Sequence, residues 1–177
     1  RIAPLFLNWL DAPDGLDWLE IGCGTGALTA AILAQCGPKS LHAIDPSEGF
    51  IAKARQNAGQ GPVSFQIGDA QALAVDSASR DVVVSGLVLN FVPDKAKALC
   101  EMKRVARKGA QIGFYVWDYP GGGIEFMRAF WTAAAALDPG AHELTEGRRF
   151  PFCTPDGLTD MAAEAGLEGI ECTPLET

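Results

Sequence analysis

Two runs, DVVVSGLVL (residues 81–89) and AQIGFYVW (110–117), are almost continuously apolar. Runs of this length and β-branched content fit strands buried on both faces, which requires a sheet covered by helices on each side. Shorter strand patterns precede them at DWLEIG (17–22), SLHAID (40–45) and VSFQIG (63–68), and LEGIECT (167–173) reads as a sixth strand. Helical patterns fill the gaps. IAPLFLNWL is amphipathic, and Thr25 to Gln35 places Leu28, Ala31 and Ile32 on one face. Ser47 caps a helix that Gly59 stops, Asp94 caps KAKALCEMKRVARK ahead of Gly109, and Thr154–Pro155 open a helix that Gly166 closes. Strands alternating with helices imply a doubly wound, mostly parallel α/β sheet, because parallel neighbours need crossover connections. Ligands of such sheets bind beyond the carboxyl ends of the strands.

Composition narrows the partners. The 177 residues, 48% of them hydrophobic, suit a single domain with a real core. Fourteen basic against 22 acidic residues give a formal charge of -8, which opposes nucleic-acid binding. No run approaches the roughly 18 apolar residues of a membrane span, and no secretory signal opens the chain. Five widely spaced cysteines without a CxxC pair read as reduced thiols of a cytoplasmic protein, not as a metal site. The chain begins at Arg1, inside a helical pattern, and stops within its last strand pattern, so it is expected to be a piece of a longer protein.

The stretch WLEIGCGTGALT (18–29) holds three glycines in five positions between an apolar run and an alanine-rich one. Gly22, Gly24 and Gly26 permit positive φ and close approach of backbone to ligand. The helix after them turns free N–H groups and a positive dipole end toward the loop. With Ala27 in the third small position the spacing also satisfies the dinucleotide pattern G-x-G-x-x-A. Glu20 separates the two readings. A carboxylate inside the first strand repels a phosphate and welcomes a sulfonium or an ammonium group.

In order and spacing, WLEIGCGTGALT, AIDPSEGFIAKARQN, IGDAQAL and DVVVSGLVLNFVPDKAKALCEMKRVARKGAQIGFYVWD resemble the class I S-adenosylmethionine-dependent methyltransferases. The nearest type is the small-molecule group that includes the ubiquinone and menaquinone methyltransferases. The resemblance implies a Rossmann-like domain with its core at 16–118 and S-adenosylmethionine as cofactor, leaving S-adenosylhomocysteine. It implies that Glu20, Gly22, Cys23, Gly24 and Gly26 hold the methionine moiety. It implies further that Asp45, followed by Pro46, grips the ribose as an exposed strand-end carboxylate, that Asp69 and Ala70 face the adenine, and that Ser85 opens the stretch lining the methionine and acceptor side. Members have seven strands, the seventh antiparallel between the fifth and sixth; against that pattern these 177 residues are expected to supply six strands and little of the N-terminal segment that closes over the cofactor.

Methyl transfer from a sulfonium needs alignment and water exclusion more than a nucleophile, and no triad is visible. Neither Asn-Pro-Pro-Tyr nor Pro-Cys occurs where amine- or cytosine-modifying members carry them, which favours a small-molecule acceptor. Asn90, Trp117 and Asp118 are the candidate acceptor contacts. Residues 119–153 are longer than an ordinary connection and read as a lid and acceptor pocket behind the Gly121–Gly123 hinge, with Phe126, Phe130 and Trp131 as apolar contacts. The final helix and strand occupy 154–173. His142 is the lid's one candidate base, and Arg148 and Arg149 either hold an acceptor carboxylate or pair with Glu143 and Glu146. No metal is expected. Two other functions stay open: a nicotinamide-dependent oxidoreductase, for which no Tyr-x-x-x-Lys is present, and a non-catalytic S-adenosylmethionine-binding module.

Overall fold

The computed structural model describes residues 2–122 and 124–176. They form two compact units, one running to Tyr115 and rejoined by the stretch from Pro174, the other running from Val116 to Thr173.

The first unit is a helix-covered parallel sheet. In chain order it comprises α1 (Ile2–Leu10), β1 (Asp17–Ile21), α2 (Ala27–Gln35), β2 (Ser40–Asp45), α3 (Glu48–Ala58), β3 (Val63–Ile67), β4 (Arg80–Gly86), α4 (Lys95–Val105) and β5 (Ala106–Tyr115). The strand order is β3-β2-β1-β4-β5 and every pairing is parallel. Connections leave β1 in both directions, so the order reverses beside it. That reversal opens the crevice in which doubly wound sheets take ligands.

The core forms where the apolar patterns predict. β1 is buried along its whole length, and Val82 to Ser85 of β4 are buried too. Phe6, Leu7 and Leu10 of α1 meet Trp18, Val82 and Val84 of the sheet together with Leu28 and Ile32 of α2. Ala98, Leu99, Met102 and Val105 give α4 its buried stripe. At the amino edge of the sheet, Asp17 pairs with Lys39 at 3.1 Å and with Arg107 at 3.3 Å, and accepts from the Ser40 hydroxyl. These partners, the Ser40 hydroxyl first, hold its carboxyl down at about 2.

Two sequence expectations fail here. α4 ends at Val105, not at Gly109, because the chain crosses directly into β5. Ala106 pairs with Arg80 while Gln111 pairs with Val82, so residues 107–110 bulge out of register and Gly109, at φ 80°, lies within that bulge. LEGIECT forms no strand: Gly169 adopts φ 63°, breaking the extended run, and among the described residues β5 is the edge of the sheet.

The second unit is helical, with α5 (Glu125–Leu137), α6 (Glu146–Arg149) and α7 (Pro155–Glu164). Arg148 pairs with Glu143 at 2.9 Å, the Trp131 indole donates to Glu146, and Arg149 lies over the Phe150 ring. Phe130 and Trp131 meet edge to face, and Phe126 and Phe130 are both exposed. Of the proposed glycine hinge, Gly121 and Gly122 are described and Gly123 lies outside the described residues.

Leu99 has no exposed surface, so Leu99→Ala should destabilise the fold by about 2–5 kcal/mol. Urea unfolding measures it, and a loss below about 1 kcal/mol would place α4 off the core.

Candidate functional site

The carboxyl ends of β1, β2 and β4 converge on the glycine loop. β1 runs straight into Gly22, whose N–H donates to the Ile44 carbonyl at 2.7 Å, and the Cys23 N–H donates to the same oxygen at 3.0 Å. The loop is thereby fastened to the end of β2. A side chain at Gly22 would overlap Val88, which lies just beyond the carboxyl end of β4. Gly24 differs: it holds φ 53°, and a Cβ there would meet nothing within 4 Å. Its backbone faces open space, as a seat for a ligand must. Gly26 caps α2 from φ 88° with no side-chain bond, so Thr25 and Gly26 belong to the loop and the helix starts at Ala27.

Asp45 organises the turn. Its Oδ2 accepts from the Gly24 N–H and its Oδ1 from the Ser47 N–H, both at 2.9 Å. Contrary to the exposed carboxylate expected from sequence, Asp45 is only 6% exposed, because these amides draw it into the loop. Each carboxylate oxygen keeps a second lone pair for a further donor. Pro46 beside it is exposed.

Glu20 is 1% exposed and lies in register between Ala43 and Val84, so neither strand neighbour offers a charge. Its partner is Thr29 in the first turns of α2, whose hydroxyl donates at 2.5 Å. Burial pushes the Glu20 carboxyl up to about 7. The Asp45 charge adds to this, against bonds from the Thr29 hydroxyl and backbone N–H. Cys23 is buried beside them, and burial with the two carboxylates drives its thiol up to about 12, far from a reactive thiolate.

A cavity of about 150 Å³ opens next to the loop, lined by Gly22, Pro46, Asp69, Ala70, Val88 and Phe91 among others. It is mostly apolar and sized for a fused aromatic ring. Asp69 is exposed and accepts from the Gln71 backbone and side chain, which holds its carboxyl below the usual range. Ser85 is fully buried, its hydroxyl donating to the Ile21 carbonyl at 2.9 Å. Beyond it Leu87 takes φ 60°, rare for a branched side chain, and its N–H is held by the Tyr115 carbonyl at 2.8 Å. Asn90 is 4% exposed and its Nδ2 has no partner among the described residues. Trp117 and Asp118 belong to the second unit, where Asp118 caps the Gly121 N–H at 2.7 Å. A larger open depression, about 400 Å³ and bordered by Lys39, His42 and Arg80, lies at the opposite edge of the sheet.

Four of the residues singled out in the sequence, Gly22, Pro46, Asp69 and Ala70, thus share one cavity, with Gly24 and Asp45 on its loop. Sequence reasoning missed Thr29, Val88 and Phe91. Thr29 was within reach: helical phase from Gly26 turns its hydroxyl toward β1, where Glu20 needs a donor.

A family model described as a methyltransferase domain matches residues 19–114. The chain is 36% identical to the demethylmenaquinone methyltransferase of Shouchella clausii over 93% of its own length and 75% of that protein. It is 30% identical to the ubiquinone biosynthesis O-methyltransferase of Leptothrix cholodnii, over 99% of this chain and 77% of that one. The chain belongs to the class I S-adenosylmethionine-dependent methyltransferases. The fold agrees with this family: a solved structure from Anabaena variabilis superposes with a TM-score of 0.73 at 23% identity, over 93% of this chain and 60% of that one. Of a further relative, from a Streptomyces fradiae transposon, the chain spans 39%. S-adenosylmethionine is the cofactor of a methyltransferase domain of this type. Among the described residues no helix is long and apolar enough to cross a membrane.

The Glu20 carboxyl holds its proton more tightly in the fold, at about 7, than in the unfolded chain near 4.5. Its contribution to stability is therefore complete below the unfolded value and lost as pH rises through about 7, on the order of 2–4 kcal/mol. Urea unfolding at about pH 5 and about pH 8 should show this loss in the wild type and lack it in Glu20→Gln. Identical pH dependence in both proteins would remove Glu20 as the cause.

Proposed function

We propose that the protein transfers a methyl group from S-adenosylmethionine to a small-molecule acceptor by in-line displacement. The observation that carries this reading is the charge of the cleft. Glu20, Asp45 and Asp69 stand at the carboxyl edge, and no Lys, Arg or His lines the cavity there. A pyrophosphate would meet three carboxylates and no cation in the cavity lining, with Lys97 acting on Asp69 from outside it, whereas a ligand bearing an ammonium and a sulfonium meets the charges it needs.

In this reading the open backbone at Gly24 and the carboxylate of Glu20 take the methionine end. The free lone pairs of Asp45 accept from the ribose hydroxyls, and the cavity at Ala70 takes the adenine with Asp69 at its rim. The bound cofactor supplies the transferable methyl. The chain holds the loop rigid, through Asp45 and the Ile44 carbonyl, and presents a largely apolar wall that keeps water from the reacting line. No general base is assigned.

The acceptor-side reading, with Asn90, Trp117 and Asp118 as contacts and residues 119–153 as a lid, belongs to the same proposal. It is supported by the unsatisfied Asn90 amide and by the direct chain continuation from β5 into the second unit. The names of the two quinone-pathway relatives make a quinone-type ring the acceptor class to test first. The five free thiols support a cytoplasmic setting.

Calorimetry should detect S-adenosylhomocysteine and give no signal with NADH; the reverse would sink the reading. Asp45→Ala should weaken S-adenosylhomocysteine by roughly 30- to 300-fold. Because two backbone donors lose their acceptor, it should also cost about 2–4 kcal/mol of stability. Affinity unchanged under conditions where the variant is folded would leave Asp45 a purely structural clamp.

Residues 119–153 should gain amide protection when S-adenosylhomocysteine and a demethylated quinone are both present. Exchange that does not change in this segment would argue against a lid.

A further inference from the structure

Toward the amino ends of β2 and β4 lies the open depression of about 400 Å³, bordered by Lys39, Ser40, His42, Ser64 and Arg80. Among the described residues no carboxylate lines it, in a chain whose formal charge is -8. The cations at this edge outnumber their partners. Asp17 holds Lys39 and Arg107, and Asp81 holds Arg107 as well. The Arg80 side chain makes no hydrogen bond or ion pair to any described residue, and its Nε is wholly covered. Covering a guanidinium N–H without an acceptor is destabilising, and a counter-anion removes much of that penalty.

The groups beside Arg80 suit such an anion. The Ser64 hydroxyl reaches only the Leu41 carbonyl, at 3.5 Å, so it can turn to a better acceptor. His42 lies in register between Leu19 of β1 and Ser64 of β3, both uncharged. Burial first, then the Arg80 charge, hold its imidazole below the usual range against a bond with Gln66. An uncharged imidazole still donates one N–H. We propose that this depression binds a phosphoryl dianion seated on the Arg80 guanidinium, with Lys39, His42 and Ser64 as further donors. It is a second ligand site, independent of the cofactor reading, because Asp45 and the glycine loop lie at the other end of the strands. Free phosphate and a phosphate monoester share the chemistry required. The depression is larger than a bare phosphate needs and leaves room for the body of an ester.

Calorimetry at fixed ionic strength in chloride should find inorganic phosphate bound with a Kd of about 1 mM or below. Phenyl phosphate distinguishes the sources: tighter binding than inorganic phosphate assigns the site to a monoester, and equal binding assigns it to the free ion. Arg80→Gln should weaken both by roughly 10-fold or more and leave S-adenosylhomocysteine within about 2-fold. Saturating S-adenosylhomocysteine should not displace phosphate. Wild-type NMR adds a readout that needs no variant. Phosphate should carry the His42 titration to higher pH, while the resonances of His142, the other of the two histidines, stay where they are. The site is overturned by the absence of saturable binding to the wild type, by displacement with S-adenosylhomocysteine, or by a folded Arg80→Gln that binds phosphate equally well. A His42 titration that phosphate leaves in place overturns it too.

Discussion

The Asp45 carboxylate closes two chain reversals at once. One oxygen takes the Gly24 N–H of the loop after β1, and the other takes the Ser47 N–H at the start of α3. Backbone donors in a loop have no ladder to join, and unpaired they would cost about 1–3 kcal/mol each when buried. A single charged acceptor satisfies both and locks their separation. The Gly24 backbone can then face open space without collapsing, which a flexible glycine segment would otherwise do. The packing beneath follows from the same clamp: with the loop held down against β2, Gly26 lies so close to α3 that an added Cβ would stand 3.3 Å from the Ala54 Cα.

Glu20 works in the opposite sense. Lying between Ala43 and Val84 and bonded by Thr29 through its hydroxyl and backbone N–H, it is a charge set where the fold gains least from it. Replacing such a group by an apolar one commonly stabilises a protein, so its presence in the strand that anchors the sheet points to use rather than to architecture. A cation brought to it would return the carboxyl to its charged form and release a proton to solvent, coupling cofactor binding to pH.

Much of the fold was legible because burial and periodicity coincide in it. The run at 17–22 and the first part of the run at 81–89, as far as Gly86, were apolar for the reason they are strands, and Ser47, Asp94 and Thr154 cap helices with the side-chain bonds their types imply. The failures lie where a tertiary contact overrides a local signal. Gly109 looked like a helix stop, yet the register of β5 against β4 made it a bulge. LEGIECT alternated like a strand, but alternation alone supplies no partner and Gly169 turned the chain away. In the site, the glycines and Asp45 were readable because their chemistry is local. Val88 was not, since a valine against Gly22 exists only once β4 lies beside β1.

The distribution of charge along the sheet joins these parts. At the amino edge Asp17 and Asp81 are matched by Lys39 and Arg107, and Arg80 adds a further cation there. At the carboxyl edge Glu20 and Asp45 are answered by hydroxyl and amide donors alone. Donor dipoles stabilise a carboxylate without cancelling its charge, so this edge keeps a negative field inside low-dielectric walls, where it decays least. The same field that makes these carboxylates costly to bury would favour a cationic ligand at every stage of approach. It weakens for a neutral one, and transfer of the methyl converts a sulfonium into a neutral thioether. On the proposed cofactor placement, the electrostatics of the cleft would favour the reactant over the product, a bias toward product release built from the placement of a few carboxylates.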